Sequence, residues 1–478
     1  MILKRFYDEN LAQASYLVAC EKSRKAVVVD PTIETGVYTD AAAERKLNIT
    51  HVLETHVHAD FLSGGAVLAA ETGAELCLSA EGDPKWGYDF AGARSARKLR
   101  DGDEISVGTV KIRALHTPGH TPEHLTFLVS DSSRGDAPVG ALTGDFIFVG
   151  DVGRPDLLEK AAGAAGTMRE SAATLYRSLR KFISSQPDHL QIWPGHGAGS
   201  ACGKSLGSMP SSTLGYEKLF NWALGERSED DFIRDVLKDQ PPPPRYFAEM
   251  KKRNRMAVAP EKPSDPAELP AESLAVALRG GATVLDTRPA ASYGAGHIPG
   301  TINIPFNKSF LNWSGSLVDN KQDLVVIASD AAESKKIARE LGKIGLTKIR
   351  GWTKESATGV WEKNGGKLET ISQLGVRDLH DRSGAKPTIV DVRAPYEWSE
   401  GHIPGAVHIP LAQLPEKAAE LAAAGNPIAV HCAGGGRSSI AASILKARGV
   451  SSVFNVTEGF RGWVNAGFRV EKDEPAKS

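Results

Sequence analysis

Two sets of segments carry residues that can do chemistry. THVHADF supplies His56, His58 and Asp60 and ends at Phe61. Later come PGHTP with His120 at its centre, TGD ending at Asp145, and WPGHG with His196 inside it. Paired imidazoles, then a further imidazole and a carboxylate from strand ends, form the donor set that borderline metals take from rigid elements. The second set is one loop, VHCAGGGRS, from Val430 to Ser438. An apolar strand runs into Cys432, a glycine-rich turn follows, and a helical pattern begins near Ser438. Such a turn can aim backbone N–H groups inward, and the helix start adds positive potential, so Ala433, Gly434, Gly435, Gly436 and Ser438 can cradle an anionic sulfur. Arg437 adds a charge suited to an anionic substrate. A triple glycine beside an inert cysteine would cost stability without benefit.

The elements that must position these groups are legible as patterns. AVVVD (26–30), HVLETH (51–56), KIRALHTPGH (111–120), LTFLVS (125–130) and ALTGD (141–145) are strand-like, several of them ending in Asp or His. Residues 164–185 carry a helical pattern. Polar ligands gathered at strand ends are how α/β folds build sites. The remainder repeats itself: VLDTRPAASYGAGHIPG at 284–300 and IVDVRAPYEWSEGHIPG at 389–405. Each is followed by an apolar strand, LVVIAS at 324–329 and PIAVHC at 427–432, and then a helical pattern. This predicts two tandem α/β domains with largely parallel sheets. In the first copy Ser329 stands opposite Cys432, Asp330, Ala331, Ala332 and Glu333 replace the loop, and Ser334 replaces Arg437. That copy reads as catalytically inactive. Asp391 and Arg393 read as a structural ion pair. A proline- and charge-rich stretch sets a linker at 251–268, between a first domain of 1–250 and the copies at 269–366 and 367–475.

Composition excludes several classes. The formal net charge of the 478-residue chain is −1, which gives no whole-protein attraction to nucleic acid or anionic membrane. No run of about 18 apolar residues exists to span a bilayer. Cys20, Cys77, Cys202 and Cys432 are far apart and form no CxxC pair, so a reducing, cytoplasmic compartment is expected.

The histidine segments resemble the metallo-β-lactamase signature His-x-His-x-Asp-His, with Phe61 in the sixth place. The resemblance implies an αββα sandwich. In two-metal members of that superfamily the Asp-His pair and the late His hold the second metal; Phe61 removes a nitrogen, which implies one metal on His56, His120 and Asp145. Two imidazoles and a carboxylate with open positions suit non-haem Fe(II) and O₂ chemistry. The persulfide dioxygenase branch uses this set, and TPGHTP, TGD and DVGRPD are similar to it as well. On this resemblance His58 and His196 stand behind the ligands or join them, and Asp60 orients a ligand or bound water. Arg154 would bind a carrier's carboxylate or form a structural ion pair, Tyr176 would hydrogen-bond near the metal or pack in the core, and Cys202, in a segment similar to rhodanese-fused dioxygenases, would lie near the metal and take up sulfur or be a small buried thiol. The six-residue Cys-x4-Arg loop matches rhodanese sulfurtransferases, whereas cysteine phosphatases use Cys-x5-Arg. EGHIPGA (400–406) is similar to rhodanese too.

The whole chain thus resembles an α/β multidomain fusion: a metallo-β-lactamase sandwich followed by two tandem rhodanese domains. The resemblance implies one Fe(II) per chain and oxidation of low-molecular-weight thiol persulfides by O₂ to sulfite. It further implies interconversion of sulfite, persulfide and thiosulfate through Cys432, in sulfide detoxification, by a homo-oligomer. The alternative is a Zn-dependent, glyoxalase II-like thioester hydrolase fused to a rhodanese.

Overall fold

The computed structural model describes residues 1–93, 95–160, 163–204, 206–260, 264–382 and 387–472. They form two compact units, one built mainly from residues 1–262 and one mainly from residues 263–478. No helix among the described residues is long and apolar enough to cross a membrane.

The first unit is an αββα sandwich of two six-stranded sheets. One sheet begins with the antiparallel strands Ile2–Asp8, Gln13–Cys20 and Lys25–Val29 and continues through parallel neighbours, including Asn48–Leu53. Strand alternation explains why two layers can cover it. Along Gln13–Cys20, Tyr16 and Val18 enter the core between the sheets, while Leu17 and Ala19 pack into the core on the sheet's other face. The second sheet includes Val110–His116, Leu125–Asp131, Pro138–Gly144 and Gln191–Pro194. Its Ile112, Phe127 and Leu142 meet the first sheet in the shared core. Helix Met168–Ser185 covers its outer face with Ala172, Leu175, Leu179 and Phe182, spaced at helical period. Each such large apolar side chain contributes about 1.5–3 kcal/mol by burial.

The strand-like runs become strands within a few residues of their expected limits, and the helix begins at Met168 rather than 164. The expected linker starts too early. Helix Tyr246–Arg255 runs through residues 251–255, with Lys251 and Asn254 buried in the first unit. Glu268 pairs with Trp352 in the second unit, so the linker also ends sooner. Its residues 261–263, and residues 473–475 of the last domain, lie outside the described residues.

The second unit holds the two repeats. The first repeat is a parallel four-stranded sheet ordered Ile302–Asn303, Thr283–Asp286, Leu324–Ala328, Ile349–Lys354. The second is a parallel five-stranded sheet with Ile428–His431 at its centre. Both carry the same internal brace: Arg288 grips Asp286, and Arg393 grips Asp391, through Nε and Nη2. The two repeats share backbone hydrogen bonds, His297 with Glu369, and Ser443 Oγ accepts from Asn303 N–H at 3.0 Å.

Candidate metal centre and thiol loop

Strand Asn48–Leu53 delivers the loop with His56, His58 and Asp60; the turn after Val110–His116 delivers His120; Pro138–Gly144 runs into Asp145. His56, His120 and Asp145 are buried, and one ligand atom from each lies within 4.8 Å of the others. Asp145 Oδ2 stands 3.9 Å from His56 Nε2 and 3.5 Å from His120 Nε2, and it accepts no hydrogen bond among the described residues. A buried carboxylate oxygen without a donor is costly unless a cation meets it. Three donors at these separations fit one ion bonded at about 2 Å to each.

The other atoms of the three side chains are already engaged. His120 Nδ1 donates to the Arg154 carbonyl at 2.9 Å, leaving Nε2 as the free donor atom. His56 Nδ1 lies 2.9 Å from Thr55 Oγ1, which itself donates to Asp30 Oδ2 at 2.8 Å, so the imidazole is the donor to Thr55. Burial, reinforced by neighbouring imidazoles, drives His56 well below the ordinary histidine range, and burial lowers His120 despite Asp145; both are neutral donors. Asp145 Oδ1 and Asp60 Oδ2 clamp His196, each at 2.7 Å from a ring nitrogen. Burial opposes a charge there, but the two carboxylates outweigh it and hold His196 at about 10. Asp145 stays ionised, since His196 and the other imidazoles overcome the cost of its burial.

His120 depends on a close approach. Gly119 has φ +145°, and a Cβ there would lie 2.4 Å from Leu175 Cα. The turn therefore sits directly on helix Met168–Ser185, where Ser178 Oγ also donates to the Pro118 carbonyl at 2.7 Å. The loop with His58 is held from behind: Asn254 Nδ2 donates to the carbonyls of His58 and Phe61 at 2.8 and 2.7 Å. Helix Tyr246–Arg255 is thus part of the site's frame, which is why it is ordered where a linker was expected.

Two further clusters flank the triad. Asp60, His196 and Cys202 form one; Asp30, Glu54 and His58 form the other. His58 is not with the triad's donor atoms: its Nε2 lies 3.1 Å from Asp30 Oδ1 and 3.2 Å from Glu54 Oε2, and the tilted Phe61 ring packs against its ring at 4.4 Å. Burial disfavours a charged His58, but Asp30 and Glu54 prevail and raise it well above the usual value. Cys202 lies beside Asp60 and His196, and burial, with Asp60 and Asp145, keeps it a thiol.

Arg154 and Tyr176 take the structural places the sequence left open for them. Arg154 is fully buried and donates twice to Asp156, at 2.7 and 2.8 Å, and to the Ala201 and Pro241 carbonyls. Its guanidinium is committed inside the protein and braces the loop whose carbonyl fixes His120. Tyr176 donates to the Arg227 carbonyl at 2.8 Å and packs against Phe232, in the helical layer rather than among the metal donors.

Residues without a motif complete the centre. His124 stacks on His56 at 5.1 Å, and its Nε2 accepts from Asp145 N–H. Tyr88 donates to the His56 carbonyl at 2.6 Å, and Glu123 accepts from Val57 N–H. The only sequence signal was His124, four residues after His120 in HTPEH.

In the second unit, strand Ile428–His431 ends at Cys432 and helix Gly436–Ala447 follows. Gly435 N–H donates to Cys432 Sγ at 3.2 Å, and Ser438 Oγ lies 3.6 Å from it. The helix starts at Gly436, two residues before the expected position. Arg437 donates to both oxygens of Glu397, at 2.6 and 2.7 Å, so its charge is already matched. At the aligned position of the other repeat, Glu333 Oε2 accepts from Ser329 N–H at 2.7 Å, filling with a carboxylate the place where an anion would be cradled.

The buried candidate metal triad thus sits in an αββα sandwich, and the thiol loop sits in the second of two α/β repeats. A model of the metallo-beta-lactamase superfamily matches residues 9–196, and one of the rhodanese-like domain matches residues 270–352 and 376–466. A solved metallo-beta-lactamase from Staphylococcus aureus subsp. aureus COL is 42% identical with a TM-score of 0.69, covering 74% of this chain and 99% of that one. Mitochondrial persulfide dioxygenase ETHE1 of Bos taurus is 29% identical over 250 residues, 52% of this chain and 85% of that protein. A hydroxyacylglutathione hydrolase of Polaromonas sp. is 31% identical over 201 residues, 41% of this chain and 66% of that protein. The chain belongs to the metallo-β-lactamase superfamily, in a form that carries two rhodanese-like domains.

Proposed function

We propose that the chain is a persulfide dioxygenase coupled to a sulfurtransferase. The carrying observation is the open triad of His56, His120 and Asp145. His56, His120 and Asp145 converge with free donor atoms, whereas both nitrogens of His196 are held by carboxylates and Phe61 occupies the place of a further imidazole. This supports one Fe(II) rather than a metal pair. Bound there, Fe(II) would supply coordination for the persulfide sulfur and for O₂ and the electrons that activate it. The residues do the rest. His56 and His120 present neutral nitrogen, Asp145 presents charge, and the Asp60–His196–Asp145 chain holds a proton beside the reacting centre. The sum is RSSH, O₂ and H₂O giving RSH, sulfite and two protons. The relation to ETHE1 favours this reading; the relation to hydroxyacylglutathione hydrolase keeps a zinc thioester hydrolase as the rival.

At the second site the Cys432 thiolate attacks the outer sulfur of a persulfide. The Sγ–S bond forms, the donor's S–S bond breaks, and the donor leaves as a thiolate that takes a proton from water. Gly435 N–H and Ser438 Oγ are placed to hold sulfur during the exchange. Sulfite then attacks the outer sulfur of the Cys432 persulfide, thiosulfate departs, and the Cys432 thiolate returns. His120→Ala is expected to abolish O₂ uptake and spare sulfur transfer, and Cys432→Ser to do the reverse. Loss of both activities from either change in a folded protein would end the two-site account.

A further inference from the structure

Cys432 opens into a cavity of about 910 Å³ lined by both rhodanese-like repeats. Thiosulfate or sulfite would fill little of it; cavities of this size suit drug-sized organic molecules. The two walls differ in charge. The wall that bears the thiol contributes Arg437 and Arg461, with Glu397 paired to Arg437. The wall from the thiol-free repeat contributes Glu333 and Glu355, together with the aromatic rings of Phe306 and Trp313. Glu333 Oε2 accepts from the Ser329 N–H at 2.7 Å, and Glu355 lines the same wall with the Arg288 guanidinium as an electrostatic neighbour. An acidic, aromatic wall opposite a wall whose Arg437 is already paired with Glu397 is poorly suited to a small dianion alone. It is suited to an elongated molecule with anionic sulfur at one end and a cation at the other.

We infer that the thiol-free repeat is the specificity wall of the Cys432 site, and that the site takes its sulfur from an organic thiol persulfide bearing an ammonium group, read by Glu355 and Glu333. This rests on the sulfurtransferase reading of Cys432. The sulfur of the carrier meets Cys432 and the loop N–H groups, its body lies on Trp313 and Phe306, and its ammonium faces the two carboxylates. The transfer is the exchange already described: Sγ–S forms, the carrier's S–S bond breaks, and no oxidant is needed.

The test uses the full-length protein and three persulfides of similar size that differ in charge: those of cysteamine (cationic), N-acetylcysteamine (neutral) and 3-mercaptopropionate (anionic). Thiosulfate is a fourth donor. Loading of Cys432 is read by intact mass and by rate. The cationic persulfide is expected to give the highest kcat/KM, with the neutral one as reference and thiosulfate the slowest. Glu355→Gln is expected to remove up to roughly fivefold of the cationic preference, the upper end for a solvent-accessible charge pair. Glu355→Lys is expected to turn the preference toward the anionic persulfide. Loading without charge preference, or a preference unmoved in both variants, overturns the inference while leaving Cys432 a sulfurtransferase. Loading by none of the four donors overturns the sulfurtransferase reading and the inference with it.

Discussion

Thr55 touches no substrate, yet the geometry gives it control of the metal. Its hydroxyl accepts from His56 Nδ1 at 2.9 Å and donates to Asp30 Oδ2 at 2.8 Å, and it is fully buried. Thr55→Val keeps the shape and removes the oxygen. His56 Nδ1–H then has no acceptor and Asp30 Oδ2 loses a donor, while the Thr55 N–H to Asp30 Oδ1 bond at 2.7 Å survives. Two buried groups left unpaired at about 1–3 kcal/mol each lower stability by roughly 2–6 kcal/mol. The tautomer that presents Nε2 is no longer fixed, and loss of such a support weakens metal binding by about 10–100-fold. Thr55→Ser retains the hydroxyl and should restore most of both. The assays are thermal unfolding of the metal-free protein and anaerobic chelator competition for Fe(II). A folded Val variant with wild-type metal affinity would refute the tautomer argument, as would a Ser variant no better than Val.

Other consequences follow from the same structure. Arg154→Leu leaves Asp156 buried without its main partner and should destabilise the first unit by about 3–5 kcal/mol, seen in its unfolding transition; a change in substrate KM with unaltered stability would restore a substrate-binding role. Gly435→Ala puts a side chain at φ +94° with its Cβ 2.4 Å from the Thr457 carbonyl oxygen. It should cost at least about 1–2 kcal/mol and suppress Cys432 loading while O₂ uptake persists. Glu397 is held below the usual carboxylate range: burial opposes its charge, but hydrogen bonds from Arg437 and Ala394 N–H prevail. A lowered folded value means its stabilisation is complete above the unfolded value near 4.5 and is lost as pH falls through the folded value. The Tm gap between wild type and Glu397→Gln should therefore be constant near neutrality and close below about pH 4.5; a gap persisting in strong acid would contradict the pairing.

The candidate donor set was legible because it is written in short segments. The triad, the Cys-x4-Arg loop and the thiol-free copy each depend on residue type and near spacing, which a sequence displays. What was hidden depends on closure across the fold. Arg154 reads as a free cation until Asp156 and the Pro241 carbonyl are seen around it. Asn254 sits in proline- and charge-rich text that resembles a linker, yet it clamps a loop nearly 200 residues earlier. Asp30 and Tyr88 support His56 through Thr55 and a backbone carbonyl, contacts that leave no local pattern. The acidic residues of the first repeat were legible as replacements of the thiol loop, but not that Glu333 and Glu355 line the Cys432 cavity.

The central claim is tested most directly by O₂ uptake. Fe(II)-loaded protein given glutathione persulfide should consume O₂ in step with sulfite formation, and with persulfide in excess sulfite should fall as thiosulfate rises. The His120→Ala protein should consume none. No uptake with glutathione persulfide or with other thiol carriers, alongside thioester hydrolysis without O₂, would contradict the account and put the zinc hydrolase in its place.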